Sequence, residues 1–249
     1  MPTQRQCTES DGWIHVIRGP KAVNRAPLQS QDGVFDVQPE PAQVDLLQRK
    51  YDRFWIDSPC RRGLEDILNS QILRTAHLSI SNCVCLGLGS IVNGRLSSQH
   101  QLATLKWMLN LLRKHFAIDD VGFYDPALTA ADINYLDWLG FQVDPSVLGK
   151  IDASTFLFAP HLEHAVFVSA LTKETPALCV GNDVKAMIDQ VTINENDRAR
   201  PQSDGFIMSA FLEATESSAL PPYDRDPWCY FTRIYWRKTP GDSRGSISP

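Results

Sequence analysis

Apolar and polar positions along this chain follow two rhythms, and the switches between them mark its elements. From Ala42, "AQVDLLQRKYDRFWIDS" sets Val44, Leu47, Tyr51 and Trp55 at helical spacing, and "CRRGLEDILNSQIL" continues with Leu64, Ile67, Leu68 and Ile72. Ser58-Pro59 predicts a break between the two pieces, because proline lacks an amide and crowds the turn before it. Five short apolar runs follow, "NCVCLGLG", "DDVGFYDP", "FQVD", "STFLFAPH" and "PALCVGND", bounded by the Gly, Pro, Asn and Asp that punctuate strands.

Helical spacing returns between these runs. "SSQHQLATLKWMLNLLRKHF" carries Leu102, Leu105, Leu109, Leu112 and Phe116 on one face, "LEHAVFVSALTKE" carries Leu162, Val166, Ala170 and Leu171, and "VKAMIDQV" starts beside Asn182 and Asp183. The short helix "TAADINYLDWLGF" is clearly punctuated. Thr129 can cap it, Asp132 at its third position favours the helix dipole, and Gly140 suits a left-handed exit. Strands alternating with helices predict an α/β fold: a Rossmann-like open, mostly parallel sheet with helices on both faces and right-handed crossovers.

Toward the end the rhythm loosens. "ENDRARPQSDG" reads as a polar loop and "FIMSAFLEATE" as a helix, while Cys229, Phe231, Arg233 and Tyr235 alternate with Tyr230, Thr232, Ile234 and Trp236 as an aromatic edge strand. Residues 1–41 are rich in Pro, Gln, Asp and Arg, and read as a mobile or loosely docked arm in which "WIHVIRG" can form a short strand. The expected organisation is that arm, one domain over 42–238 with helices at its N-terminal side, and a disordered tail over 239–249.

Composition narrows the class. The chain has 249 residues, 43% hydrophobic and 21% charged, which is ordinary for a globular protein with a sizeable core. A formal charge of -5 argues against coating nucleic acid or an anionic membrane. No run approaches the length of a membrane span, and the first residues lack the apolar core of a secretory signal. Six scattered cysteines in a chain this large predict reduced thiols and a cytoplasmic or nuclear setting. Cys83 and Cys85 are expected on opposite faces of their strand and so to make a poor metal clamp.

In open parallel sheets, ligands bind beyond the carboxyl ends of the strands, where strand order reverses. That rule selects four turns as ligand-binding candidates, through Gly87, Gly89 and Ser90, Asp125, His161, and Asn182 with Asp183. The Gly87-Leu88-Gly89-Ser90 turn has two glycines of a dinucleotide fingerprint, but Val92 stands where the third belongs and Gly94 comes two residues late. It reads either as a tight corner or as exposed amides for an anionic, nucleotide-like ligand. Asp125 could grip ribose hydroxyls, although it lies 38 residues after Gly87 rather than the usual ~20.

His161, Asp125 and Ser90 are the catalytic candidates. An imidazole works as acid or base near neutral pH, and a serine at a strand-to-helix turn can act as a nucleophile or, more ordinarily, cap a helix. His161 and His164 would need further ligands such as Cys179 or Asp183 to hold zinc, and no metal site is expected. No Gly-x-Ser-x-Gly, His-Glu-x-x-His or finger-spaced cysteine set is present, and the sequence names no cofactor.

Taken together, "CLGLGS", "QLATLKWML", "FYDPALTAADINYLDWLGFQV", "TFLFAPHLE" and "ALCVGND" resemble the sensitivity-to-red-light-reduced family, the SRR-like domain, over residues 68–190. The resemblance implies a Rossmann-like domain and a role in light signalling, circadian rhythm or related gene regulation; it implies no reaction and no catalytic residue. The C-terminal "PYDRDPWCYFTRIYW" fits the family only loosely, and the N-terminal arm lacks the basic tract of other members, which marks a divergent member.

Three functions follow as expectations. The first is a regulatory or signalling module with a Rossmann-like ligand pocket. The second is a cofactor- or nucleotide-using group transferase of a specialised pathway. The third is an interaction module that offers its aromatic C-terminal strand to a protein partner.

Overall fold

The computed structural model describes residues 38–74, 78–93, 96–193 and 202–238, together with two short strands near the N-terminus. Those strands, β1 (Gln6–Thr8) and β2 (Ile14–Val16), pair antiparallel within a unit that ends at Val37. β2 falls inside "WIHVIRG"; the other residues of 1–37 and the tail over 239–249 lie outside the described residues, and the last residue of the expected arm, Pro41, already begins a helix.

In the second unit, two helices precede the sheet. α1 (Pro41–Ile56) and α2 (Pro59–Ile67) break at Ser58, whose hydroxyl accepts the Arg61 amide and so caps α2, with Pro59 at the first helical position. One π-helical turn, Leu68–Ile72, extends α2.

The elements that follow are β3 (Asn82–Leu86), α3 (Leu96–Leu112), β4 (Asp120–Tyr124), α4 (Ala130–Trp138), β5 (Gln142–Val143), β6 (Thr155–Ala159) and α5 (His164–Ala170). The chain continues through β7 (Leu178–Asn182), α6 (Val184–Ile193), α7 (Gln202–Ala214), β8 (Thr215–Ala219) and β9 (Thr232–Arg237). The seven-stranded sheet has the order β5-β4-β3-β6-β7-β9-β8. β5, β4, β3, β6 and β7 are parallel neighbours, and β9 runs antiparallel to both β7 and β8. This is the expected α/β, Rossmann-like architecture.

Strand order reverses between β3 and β6. From β3 the chain steps outward to β4 and β5, then returns to the other side of β3 as β6. The central strands are covered on both faces, which is why they read as continuous apolar runs: Phe156, Leu157, Phe158 and Ala159 are all fully buried. One face packs Cys83, Cys85, Phe156, Phe158 and Ile234 against Leu64, Leu102, Leu105 and Leu109 of the early helices. The other packs Val84, Leu86, Leu157 and Tyr235 against Phe167, Met208 and Phe211 of the later ones.

Three expectations are corrected. Side chains in a strand repeat every second residue, so Cys83 and Cys85 share one face rather than opposing each other. Burial raises the pKa of both thiols, which disfavours the thiolate a metal would need. The aromatic strand forms as β9 but is not at the edge: β7 pairs with one side and β8 with the other, so it has no free edge for a partner strand. The edge on this side of the sheet is β8, "TESSA", whose first two residues close the stretch "FIMSAFLEATE" that reads as a helix in sequence.

Candidate functional site

The turn after β3 is shaped by two glycines in the left-handed region, Gly87 at φ 70° and Gly89 at φ 75°. Neither position leaves room for a side chain. A Cβ on Gly87 would lie 2.6 Å from Leu162 Cδ1, and one on Gly89 would lie 2.9 Å from Ser98 Oγ at the start of α3. Leu162 therefore reaches from the β6 turn across the switch point and rests on the glycine turn.

The amides of this turn are already committed. Gly89 N–H donates to Asp125 Oδ2 at 2.6 Å, and Ala127 N–H donates to the other oxygen of that carboxylate at 2.7 Å. Ile91 and Val92 N–H both donate to Asp132 Oδ1 at 2.8 Å. The Ser90 hydroxyl donates to Asp132 Oδ2 at 2.7 Å and accepts the Asn93 amide at 2.9 Å. Thr129 adds its amide at 2.8 Å and its hydroxyl at 2.7 Å, completing the capping box of α4.

Five donors thus converge on the fully buried Asp132. Burial alone would raise its pKa, but hydrogen bonds from Thr129, Val92 and Ser90 outweigh that and hold the carboxyl below its ordinary value. The glycine turn is an anion cradle whose anions are supplied by the chain itself.

His161 lies at the β6 turn, exposed, with φ 57°, a left-handed conformation that costs a non-glycine residue about 1–2 kcal/mol. Its Nε2 donates to the Trp228 carbonyl at 2.5 Å, which places the proton on that nitrogen. The same carbonyl accepts the Thr232 hydroxyl at 2.9 Å. Ser90 and His161 thus each have another partner, and the structure records no bond between them.

At the end of β7, Asn182 Nδ2 donates to the Leu162 carbonyl at 2.7 Å, while its buried Oδ1 has no hydrogen-bond partner. Asp183 N–H donates to the Phe231 carbonyl at 2.8 Å, and its carboxylate caps α6 through Ala186 N–H at 3.1 Å and lies 3.6 Å from Arg233. Phe231, at φ 58°, is the second non-glycine residue in the left-handed region among the described residues. It is 78% exposed next to the half-exposed Tyr230, so apolar surface stands free beside the Asp183 turn at the end of β7.

The carboxyl edge thus gathers the predicted residues into two linked groups. Gly87, Gly89, Ser90 and Asp125 form one around Asp132; His161, Asn182 and Asp183 form the other around Leu162, Trp228 and Phe231. In the sequence Asp132 stands out only as a cap, Leu162 only as a helix-face position and Phe231 only as a strand position, and Trp228 is a residue type that advertises no chemistry. His164 faces Asp204 at 3.5 Å, Cys179 is buried in the core, and no three metal-binding side chains gather among the described residues. No helix among them is long and apolar enough to cross a membrane.

The site and sheet define a Rossmann-like α/β protein built around its β3/β6 switch point. Residues 59–231 match the SRR1 domain, and the chain belongs to that family. Comparison with curated proteins finds no match. Among solved structures it is similar to the N-methyltransferase NodS from Bradyrhizobium japonicum WM9, at 14% identity over 73% of this chain and 97% of that one, with a TM-score of 0.36. It is also similar to cofactor-bound Rv0187 from MTB, at 13% identity over 82% and 92% of the two chains with a TM-score of 0.34. Thermoplasma acidophilum 1320 matches at 11% identity over 76% and 94%, with a TM-score of 0.33. Likeness at this level says nothing about activity.

Proposed function

We propose that this SRR1-domain chain is a regulatory or signalling module, of the light- or circadian-responsive kind the family implies, acting in the cytoplasm or nucleus. Its binding site is the carboxyl edge around His161, Asn182 and Phe231. One observation carries the reading: the amides at Gly89, Ile91 and Val92 and the Ser90 hydroxyl are all taken by Asp125 and Asp132. A phosphate would have to displace a carboxylate to reach them, and a nucleophilic serine would have to leave the hydrogen bond that holds the turn.

A second reading, a nucleoside-using group transferase, has one observation in its favour. Asp125 follows β4 beside the glycine turn, where an acid grips ribose. Each of its oxygens accepts one amide and keeps a second lone pair.

Thermal denaturation of the full chain with ATP, NAD and S-adenosylmethionine separates the two. The regulatory reading expects midpoints within about 1 °C of the free protein for all three, because bound ligand at saturation would shift them by several degrees. Stabilisation by any of them that is lost in Asp125→Asn would replace it with the enzymatic reading.

A further inference from the structure

Cys60 and Cys229 stand 169 positions apart in sequence, yet their sulfurs lie 3.8 Å apart in the interior. Cys60 lies in the first turn of α2, and Cys229 closes the short 3-10 turn Pro227–Cys229. Cys60 also donates to the Pro221 carbonyl at 3.0 Å, and Gly63, one turn on, lets the Pro221 ring in: a Cβ there would lie 2.8 Å from its Cγ. The irregular segment between β8 and β9 is therefore seated on α2 at both ends, through Pro221 and through Cys229.

A disulfide holds its sulfurs about 2.05 Å apart. Closing the 3.8 Å gap moves them together by roughly 1.8 Å, a shift taken up by the short 3-10 turn that carries buried Cys229 and by the exposed residues on either side of it. Trp228 immediately precedes Cys229, and its carbonyl is the acceptor for His161 Nε2. A displacement of Cys229 is passed to the imidazole through one peptide unit.

We infer that Cys60 and Cys229 form a reversible dithiol–disulfide pair whose oxidation changes the His161 hydrogen bond at the carboxyl edge. Formation of the bond stands by itself; its regulatory consequence rests on the binding site proposed above. The oxidant is a small disulfide such as oxidised glutathione. The Cys229 thiolate attacks one glutathione sulfur and releases glutathione thiolate, leaving a mixed disulfide on Cys229. The Cys60 thiolate then attacks the Cys229 sulfur and displaces the second glutathione. Two electrons and two protons pass from the protein to glutathione, and the reverse exchange restores the thiols. Contact with Cys60 and burial hold the Cys229 thiol far above its ordinary pKa, so the thiolate is scarce while the segment is seated and exchange waits for the segment to lift.

The test is incubation of the full chain in graded mixtures of reduced and oxidised glutathione, followed by intact mass and peptide mapping. The expected result is loss of two hydrogens at the oxidising end, a Cys60–Cys229 crosslinked peptide, full reversal by reductant, and a melting midpoint raised by roughly 5–10 °C. Dithiol at every ratio, or a crosslink between other cysteines, overturns the pair. This measurement uses the wild-type chain and stands even where Cys60→Ser or Cys229→Ser folds poorly. The coupling is read from the His161 imidazole resonances, assigned by their loss in His161→Gln. They should move on oxidation of the wild type and stay fixed in Cys60→Ser. If the bond forms and they do not move, the link to the edge is wrong while the pair stands, and the function proposed for the edge is untouched.

Discussion

Replacing Asp132 is the most searching test of how the glycine turn is built. In Asp132→Ala, two wholly buried donors, the Ser90 hydroxyl and the Ile91 amide, lose their acceptor, and so does the partly buried Val92 amide. An orphaned buried donor costs about 1–3 kcal/mol. Loss of one half of the α4 capping box adds about 0.5–2 kcal/mol. Water reaching Thr129 and the removal of a buried charge offset part of this, leaving a loss of about 4 kcal/mol, a large fraction of a typical domain's 5–15 kcal/mol. Asp132→Asn keeps an oxygen for Ile91 and Val92 but turns an NH2 toward the Thr129 amide and hydroxyl, for a loss of about 2 kcal/mol. Thr129→Ala should cost about 1 kcal/mol.

Urea denaturation with an unchanged slope reads all three, and hydrogen exchange at Ile91 and Val92 should accelerate in the alanine variant. The pH dependence follows from the sign of the shift. The native carboxyl titrates below its unfolded value near 3.9, so its contribution is complete above about pH 4 and is lost as pH falls through the native pKa. The gap between wild type and Asp132→Asn should therefore close only in acid. If Asp132→Ala stays within about 1 kcal/mol of wild type, the carboxylate does not hold the turn and the argument against a phosphate cradle falls with it.

Other consequences are quicker to check. Gly87→Ala forces a left-handed alanine into Leu162, costing about 1–2 kcal/mol for the backbone alone; Leu162→Ala should relieve the steric part, so the double variant loses less than the sum of the singles, and additive losses would refute the contact. The Tyr235 hydroxyl donates to the Asn182 carbonyl and accepts the Val184 amide, both at 2.9 Å, so Tyr235→Phe should cost about 1–3 kcal/mol in urea denaturation; a neutral result would mean those groups find other partners. Burial lowers the His100 pKa against the opposing pull of Asp226, and Tyr223 bonds its ring at 2.9 Å. His100 therefore contributes stability above its unfolded value near 6.5 that is lost as pH falls, and His100→Gln should flatten the decline in melting midpoint between pH 7 and pH 5.

The parts of the fold that announce themselves in sequence are those whose signal is local. Phe156–Ala159 reads as a strand because both of its faces are buried, and Thr129, Asp132 and Gly140 delimit α4 through short-range hydrogen bonds and one left-handed glycine. β8 is hidden because "TESSA" is polar and half-exposed; only pairing with β9, through Glu216 opposite Trp236 and Ser217 opposite Tyr235, makes it a strand. The interior position of β9 is likewise a fact of pairing, to which its alternating aromatics are indifferent.

At the site, spacing rightly made Asp132 a cap but could not reveal that the same oxygens take amides 40 and 41 residues away. Leu162 and Phe231 read in sequence only as packing positions, because their contribution to the site lies in position and backbone conformation rather than in side-chain chemistry. The placement of Cys83 and Cys85 was the exception, since a two-residue period already puts them on one face.

A glycine turn that feeds a helix usually presents amides outward, and here the chain has closed that option electrostatically. Asp125 and Asp132 take the turn, and Asp226 accepts the Ser97 hydroxyl at 3.0 and 3.1 Å in the first turn of α3. A phosphate arriving about 4 Å from any one of these carboxylates would meet a repulsion of roughly 4 kcal/mol at an effective dielectric of 20, besides losing the hydrogen bonds it displaced. The groups left to meet an occupant are of another kind: the exposed His161 ring and the bare faces of Tyr230 and Phe231. Under the proposed reading they suit an uncharged or cationic planar molecule or peptide that offers apolar surface to Tyr230 and Phe231. Phe231 and His161 are also the described non-glycine residues held in the left-handed conformation, so the strain stored at this edge flanks the surface left open.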